Sequence, residues 1–353
     1  MKILHTADLH IASESPGTLE ALDALLDTAE EEEVDLLTIG GDIFDSPEDA
    51  SRVRSEVSQR CSDLPFDIIA IPGNHDADIF RQEFDLGSHL RILRDEPFEE
   101  APVGDVSIIG VPFTRRLSSE LFSSLREAGR DQSVRVLLLH CTLDLGFGRN
   151  AAGEEEEERY FPVELATLSR LEYDFVLGGH IHVRYQTQEL SNGGQFVYPG
   201  SPISHSWTEL GPRYASLIDT DTRGVEQIEL ETPYRDRKEV LVTPDNQEEV
   251  PSEIEGWLEE HDEEPCTLEL IVQGYVDANE PEYNTRLREL TADIEATIDV
   301  RSVSSVLEHD IYQGVMSRLD EDLLEEYDHA SMEGVDQLLL NELATLLHTG
   351  EVR

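Results

Sequence analysis

Five short apolar segments with the character of buried strands recur within the first 182 residues. They read KILHT, VDLLTIGGD, FDIIAIPGNHD, VRVLLLH and YDFVLGGHIH. Amphipathic stretches lie between them: SPEDASRVRSEVSQRC begins with the helix cap Ser46, and GTLEALDALLDTAEEEE presents an apolar helical face formed by Leu19, Leu22, Leu25 and Leu26. Because strands that alternate with helices build layered folds, the pattern predicts an α/β domain over residues 1–233.

The charge of the chain is strongly negative. Asp and Glu total 77 against 26 Lys and Arg, giving a formal net charge of −51, and the acidic residues recur along the whole sequence. Molar salt shortens the electrostatic screening length to about 3 Å, which relieves the repulsion on such a surface. The composition therefore predicts a protein of a high-salt cytoplasm, such as that of a haloarchaeon or its virus. Periodic strands and helices argue against an acidic disordered chain.

The cysteines and the hydropathy of the chain indicate which classes of protein it does not resemble. Cys61, Cys141 and Cys266 are far apart and form no CxxC motif, so neither a disulfide framework nor a zinc cluster is indicated. The start MKILHTADLH does not have the pattern of a signal peptide. No apolar run approaches the roughly 18 residues of a membrane span. We expect a soluble, cytoplasmic protein without a membrane partner.

The pattern changes after residue 233. The segments KEVLVT, VPSEIEGWLEEH, CTLELIVQGYV, EYNTRLRELTADIEAT and VRSVSSVLE predict a compact βαβαβ module over residues 234–315. Residues 316–353 predict two amphipathic helices separated by Gly334, whose leucines pack on this chain or on another protein. The run Glu154 to Glu158 is interpreted as a solvated loop.

Each of the five strands ends in residue types that bind metal. Ligands of open α/β sheets gather beyond the carboxyl ends of strands, so these residues are expected to converge on one crevice. Taken singly, each has another explanation, since Asp8 can cap a helix, Asn74 can form a turn and His140 can be a core histidine. The candidate metal ligands are Asp8, His10, Asp42, Asn74, His140, His180 and His182. His180 and His182 are expected to point the same way if the chain stays extended there.

Carboxylate, amide oxygen and neutral imidazole together suit divalent ions such as Mn²⁺ or Fe²⁺. Two ions about 3.5 to 4 Å apart need a ligand that reaches both, and Asp42, after two glycines, is the candidate bridge. His75 lies next to a candidate ligand without being needed as one, which fits a proton donor to the phosphate or the leaving oxygen.

The order D-x-H, G-D-x-F-D, G-N-H-D, H, G-H-x-H resembles the calcineurin-like metallophosphoesterase superfamily. The details ILHTADLH, GGDIFD and YPGSP resemble its SbcD-type nucleases of double-strand-break repair. The resemblance implies a four-layer αββα sandwich with a smaller α+β capping domain and a helical C-terminal tail. By position, it implies one ion held by Asp8, His10, Asp42 and His182, a second held by Asp42, Asn74, His140 and His180, and His75 as the catalytic histidine. Asp45 stands where many members have a second histidine.

The same resemblance implies a Mn²⁺-dependent DNA exonuclease and endonuclease subunit. Its C-terminal tail would bind the coiled coil of an SbcC-like ABC ATPase. The module over 234–315 would then contact DNA, although a homodimer or stability module is the alternative. Hydrolysis of a small phosphodiester or a phosphoprotein is the second hypothesis, and a scaffold without complete ligands is the third. The local basic spots are either phosphate contacts or surface ion pairs; they comprise Arg115 with Arg116, Arg235 with Arg237 and Lys238, and Arg286 with Arg288.

Overall fold

The computed structural model describes residues 1–81, 84, 86–143, 161–183, 185–261, 265–276, 280–290, 297–299 and 303–305. The chain divides into two compact units, of which the first is Met1–Tyr234 and the second begins at Arg235. The predicted helical tail over 316–353 lies outside the described residues. Within the described residues, no helix has both the length and the apolar character that crossing a membrane requires.

Fourteen strands and five helices are described in the first unit. Its strands are β1 (Lys2–Thr6), β2 (Leu36–Ile39), β3 (Asp67–Ala70), β4 (Leu90–Ile92), β5 (Glu99–Val103), β6 (Val106–Val111), β7 (Val134–His140), β8 (Thr142–Leu143), β9 (Pro162–Val163), β10 (Phe175–Gly179), β11 (Gln186–Glu189), β12 (Gln195–Tyr198), β13 (Arg213–Asp219) and β14 (Gly224–Leu230). Its helices are α1 (Gly17–Glu31), α2 (Pro47–Arg60), α3 (Ala77–Phe80), α4 (Ser119–Glu127) and α5 (Leu165–Ser169).

Two six-stranded sheets organise this unit. The first has the order β14-β13-β1-β2-β3-β4, and the second has the order β11-β12-β10-β7-β6-β5. In the first sheet, β1, β2, β3 and β4 run parallel, while β13 is antiparallel to β1. In the second sheet, β6, β7, β10 and β12 run parallel. The five predicted strand segments become β1, β2, β3, β7 and β10, five of the inner parallel strands.

The two sheets pack face to face through apolar side chains. Ile3 and Ile69 of the first sheet share one buried cluster with Ile108, Leu138 and Phe175 of the second. The strands of both sheets are therefore covered on their inner faces. Because helices cover the outer faces as well, both faces are buried and the strand sequences are almost continuously apolar rather than alternating.

Helices cover the outer faces of both sheets. Leu22 of α1 and Val53 of α2 belong to the core cluster on the outer side of the first sheet. Leu125 of α4 and Leu168 of α5 belong to the corresponding cluster of the second sheet. The predicted α/β fold with αββα layers is thus confirmed. The predicted cap is present as well, since the Ser46 side chain accepts a hydrogen bond from the Asp49 backbone N–H at the start of α2.

The second unit is a separate, smaller module. It contains β15 (Tyr234–Val242, whose first residue is the last of the first unit), α6 (Val250–Glu260), β16 (Cys266–Val276), α7 (Glu280–Leu290), β17 (Thr297–Asp299) and β18 (Val303–Ser305). Strand β16 pairs in parallel with both β17 and β18. Its core joins Val242 and Val272 of the sheet to Ile254 of α6 and Leu287 of α7.

Candidate metal centre

The carboxyl ends of the inner strands bring the candidate ligands together. Asp8 and His10 follow β1, Asp42 follows β2, Asn74 and His75 follow β3, His140 ends β7, and His180 and His182 follow β10. The two sheets meet here directly: the His180 backbone N–H donates to the Asp8 carboxylate at 2.9 Å, and His140 Nδ1 donates to the Gly40 carbonyl at 2.9 Å. A single crevice therefore collects residues from both sheets, as expected for parallel strands that end at one edge.

The backbone at this edge adopts conformations that are rare outside glycine. Positive φ angles occur at Asp8 (59°), His10 (42°), Asp42 (53°) and His180 (96°). A non-glycine residue in the left-handed region costs about 1 to 2 kcal/mol. Such strain concentrates at functional sites because the surrounding structure holds it in place. Four of the seven candidate ligands share it.

Two glycines make room for the side chains of the site. A Cβ at Gly73 would lie 2.1 Å from Oδ1 of Asp42, and a Cβ at Gly41 would lie 2.5 Å from Nδ1 of His140. Gly41 also has a φ of 108°, which a side chain would disfavour. The glycines that end the strand segments therefore allow the backbone to approach Asp42 and His140 closely.

One group of ligands surrounds His10. Its Nε2 lies 3.2 Å from Nε2 of His182 and 3.7 Å from Oδ2 of Asp42, and His182 Nε2 lies 4.0 Å from Oδ1 of Asp8. Asp8, His10 and His182 are all buried and can each offer one ligand atom to a common ion. The outward nitrogen of His10 is engaged elsewhere, since its Nδ1 lies 3.2 Å from Oδ1 of Asp45.

A second group surrounds His140. Its Nε2 lies 2.8 Å from Oδ1 of Asn74 and 3.2 Å from Oδ2 of Asp42. Because Nδ1 of His140 donates to the Gly40 carbonyl, Nε2 is the nitrogen that faces these two oxygens. Asp42 Oδ2 thus faces histidines of both groups, which is the position that a bridging ligand would need.

His180 and His182 take different directions. Strand β10 ends at Gly179, and His180 is not extended, so the two rings do not share one face. The ring of His180 lies 5.2 Å from that of His140, whereas the ring of His182 lies 4.8 Å from that of His10. The two rings are expected to point the same way only if the chain stays extended, and it does not. Each ring therefore joins a different group of ligands.

His75 lies at the mouth of the crevice and is the exposed member of the set. Its backbone N–H donates to Oδ1 of Asp42 at 2.8 Å, and its Nδ1 donates to the Asp45 carbonyl at 3.0 Å. Its ring packs edge-on against His10 with 4.6 Å between centroids. The side chain is thus fixed at one nitrogen and reaches solvent above buried ligands.

Sequence reasoning missed Glu209, a buried carboxylate behind His182. Its Oε1 lies 3.4 Å from Nδ1 of His182, and its Oε2 accepts from the Ser201 hydroxyl at 3.0 Å and from the His205 backbone N–H at 2.9 Å. A carboxylate behind a ligating histidine orients the ring and raises its basicity. The nearest sequence signal was the YPGSP segment, which contains Ser201 but not the glutamate.

Asp76 and His205 were also missed. One oxygen of Asp76 accepts from the Gly73 N–H and the other from the Ile43 N–H, both at 2.7 Å, so it ties the loops after β3 and β2 together. His205 donates through Nε2 to the Asp8 carbonyl at 3.1 Å, and its ring lies 5.1 Å from that of His10.

Burial and the charges of neighbouring residues shift the pKa values of the carboxylates and histidines of this site. Burial alone would raise the pKa of Asp42, but His140 outweighs it and holds that pKa well below its ordinary value. Burial would lower the pKa of His140, and Asp42 instead raises it to about 10. Burial, reinforced by the charge of His140, lowers the pKa of His180 to about 3. Burial would likewise raise the pKa of Glu209, whereas its hydrogen bond with His182 lowers it to about 2.

These donor atoms fit divalent metal ions. Nε2 of His10 and Nε2 of His182 face each other at 3.2 Å, and Nε2 of His140 faces an amide oxygen and a carboxylate oxygen. Neutral rings would direct their lone pairs at one another and at these oxygens, and a divalent cation among them would relieve that repulsion. The set of imidazole, carboxylate and amide oxygen suits Mn²⁺ or Fe²⁺ better than an ion such as Ca²⁺, which prefers oxygen ligands alone.

The chain matches one protein family and is similar to DNA-repair and nuclease proteins of other organisms. Residues 1–184 match the family model described as Calcineurin-like phosphoesterase. The DNA double-strand break repair protein Mre11 of Saccharolobus solfataricus is 25% identical over 220 residues, 57% of this chain and 54% of that protein. The Mre11 protein of Methanosarcina mazei is 24% identical over 285 residues, 75% of this chain and 43% of that protein. The D component of the nuclease SbcCD of Staphylococcus epidermidis is 23% identical over 251 residues, 60% of this chain and 63% of that protein.

The chain thus spans about half the length of the curated relatives it matches. Among solved structures, a dimetal phosphatase from Danio rerio aligns with a TM-score of 0.45 and 11% identity, covering 65% of this chain and 96% of that one. The nuclease MPE of Pseudomonas putida aligns with a TM-score of 0.28 and 16% identity, covering 64% of this chain and 87% of that one.

Proposed function

Because this chain belongs to the calcineurin-like phosphoesterase family, we propose that it hydrolyses phosphodiester bonds of DNA with the help of two divalent metal ions. One observation carries the proposal. Oδ2 of Asp42 faces His10 at 3.7 Å on one side and His140 at 3.2 Å on the other, between two groups of buried ligands. A shared carboxylate between two ligand groups is the arrangement that two-metal hydrolysis of phosphate esters requires.

The ligands divide into two sets that share Asp42. Asp8, His10 and His182 would hold one ion with Asp42, and this assignment agrees with their mutual proximity. Asn74, His140 and His180 would hold the second ion with the other side of Asp42. Mn²⁺ is the proposed ion, because imidazole and hard oxygen donors are mixed in both sets.

Within this arrangement, each residue of the chain has a distinct task. Bound ions would supply Lewis-acid charge to the phosphate oxygens and activate water for attack. Asp42 keeps the two sets at a fixed separation, and its Oδ1 also orients His75 through the backbone N–H. His75, held through Nδ1 by the Asp45 carbonyl, presents its ring at the crevice mouth and donates a proton or hydrogen bond to the phosphate or the leaving oxygen.

DNA is proposed as the substrate because of the relatives, whose names are those of a nuclease component and of DNA double-strand break repair proteins. The same similarity supports a role in processing DNA ends during double-strand break repair. We assign residues 234–315 to a DNA-contacting capping domain on the resemblance alone, since Arg237 of β15 pairs with Glu269 and Lys238 pairs with Glu253.

An SbcC-like coiled-coil ABC ATPase is the proposed partner, bound through the amphipathic segment over 316–353, which lies outside the described residues. Deletion of residues 330–353 is expected to abolish co-purification with such an ATPase while leaving metal-dependent hydrolysis by the isolated protein largely intact. Loss of solubility on deletion would instead assign those leucines to the core of this protein.

A direct assay tests the proposed activity. The purified protein, kept in high salt with Mn²⁺, is incubated with end-labelled double-stranded DNA and, separately, with a small phosphodiester. We expect cleavage of DNA that is lost on chelation of the metal. Hydrolysis of the small ester without any cleavage of DNA would identify a phosphodiesterase of another substrate class.

A further inference from the structure

The loop that follows β6, residues 112–118, lies beside the candidate metal centre. Strand β6 runs parallel to β7, and Val111 pairs with Leu139, so the chain leaves β6 next to His140. The loop then reaches the other sheet, because the Phe113 backbone N–H donates to the Pro72 carbonyl at 3.0 Å. Pro72 precedes the segment that carries Asn74 and His75. The loop therefore connects the two halves of the crevice rim.

Two exposed arginines, Arg115 and Arg116, follow this anchor point directly. Within the described part of the chain, neither side chain makes an ion pair or a hydrogen bond. Seven other arginines of the same unit are each paired with a carboxylate: Arg52, Arg60, Arg81, Arg91, Arg126, Arg130 and Arg223.

Positive charge without a carboxylate close by in the sequence is unusual in so acidic a chain. Acidic residues number 77 against 26 basic ones, yet residues 106–119 include both arginines and no carboxylate. An exposed ion pair stabilises a fold by little, so an arginine without a partner loses little stability and keeps its charge available to a ligand. A guanidinium group can donate two parallel hydrogen bonds to a phosphate, which suits it to a nucleic-acid backbone.

We propose that Arg115 and Arg116 bind the sugar-phosphate backbone of DNA beside the scissile phosphate, and thereby position the strand over the metal centre. The proposal rests on the proposed DNA nuclease function and adds the residues that hold the substrate. Phosphate contacts of this kind fix the register of a strand without reading its sequence. The pair therefore acts on affinity for every DNA sequence alike.

The chain offers a matched control at the opposite end of the same helix. Arg126 and Arg130 are also exposed, lie at the end of α4 rather than before its start, and pair with Glu172. The variants R115Q/R116Q and R126Q/R130Q remove equal charge before and at the end of α4. Binding of a labelled DNA duplex is measured by fluorescence anisotropy with metal chelated, over KCl concentrations at which circular dichroism shows each protein folded. Mn²⁺ affinity is measured separately by calorimetry.

For R115Q/R116Q we expect weaker DNA binding and a slope of log K against log salt that is smaller by roughly 2, because two phosphate contacts are lost. Mn²⁺ affinity should stay at the wild-type value, and R126Q/R130Q should bind DNA as the wild type does. An unchanged affinity and slope in R115Q/R116Q, or equal losses in both variants, would overturn the proposal.

A different experimental result would refute the proposed function itself. A wild-type protein that hydrolyses a small phosphodiester but neither binds nor cleaves DNA would refute the nuclease function and this substrate site together. DNA cleavage by the wild type combined with unaltered binding by R115Q/R116Q would refute only the arginine site.

Discussion

Glu209 and His182 form a buried carboxylate–imidazole pair, with Oε1 of the glutamate 3.4 Å from Nδ1 of the histidine. The same carboxylate accepts hydrogen bonds from Ser201 and from the backbone of His205. Arg213 donates to the His182 carbonyl and to Ser201 from the other side. His182 is therefore held at its ring and at its backbone, and its Nε2 is directed into the crevice.

Replacement of Glu209 by Gln should weaken Mn²⁺ binding by about 10- to 100-fold, because the neutral amide no longer orients the ring or raises its basicity. Glutamine keeps the size of the side chain and an acceptor for Ser201. Calorimetry measures the dissociation constant, and E172Q, which changes an exposed glutamate, is the control. A Mn²⁺ affinity equal to that of the wild type would show that Glu209 serves only packing.

Replacement of His75 by Gln should abolish phosphodiester hydrolysis while two metal ions still bind, since the imidazole acts on the substrate. Replacement of Asp42 by Ala should remove metal binding and activity together, because the shared ligand is lost. Hydrolysis is followed with a labelled DNA end, and metal binding by calorimetry. The division of roles would be wrong if H75Q lost metal as completely as D42A does.

The buried His5 makes stability depend on pH. Its Nε2 donates to the Gly178 carbonyl, and burial lowers its pKa from 6.5 to about 4. Between these values the unfolded chain binds a proton that the folded protein does not, so this contribution is complete above pH 6.5 and disappears as the pH falls toward 4. The shift corresponds to about 3 kcal/mol.

The H5Q variant should therefore show a flatter pH dependence of the free energy of unfolding in that window. Denaturant titrations at several pH values measure it for both proteins. An identical slope in the variant and the wild type would mean that other groups carry the acid sensitivity.

Folding should require molar salt, because 77 acidic residues against 26 basic ones repel one another in dilute buffer. Circular dichroism and thermal unfolding over a series of KCl concentrations measure this directly. A fully folded protein with a cooperative transition in dilute neutral buffer would contradict the salt requirement.

Much of the fold and the centre of the site could be predicted from sequence because both depend on local patterns. Each inner strand is a nearly continuous apolar run, and each ends in glycine or a polar residue. Parallel strands share one edge, so their end residues converge whatever the loops do. Asp42 is predicted as the shared ligand because it follows two glycines that let the backbone approach the site.

Other features depend on contacts that no spacing encodes. Glu209 lies 27 residues after His182 and reaches it only because the intervening loop folds back. The different directions of His180 and His182 follow from a positive φ, which the sequence GGHIH does not reveal. Strand β5 was missed because EEAPV contains a proline and two acidic residues, which an edge strand tolerates.

Asp42 is proposed to lie between two metal ions, and every role assigned to the other ligands depends on that position. Anomalous scattering at the manganese edge, measured on crystals grown with Mn²⁺, tests it most directly. We expect two peaks about 3.5 to 4 Å apart. One peak should be bounded by Asp8, His10 and His182, the other by Asn74, His140 and His180, with Asp42 touching both. A single peak, or two peaks of which Asp42 contacts neither, would contradict it.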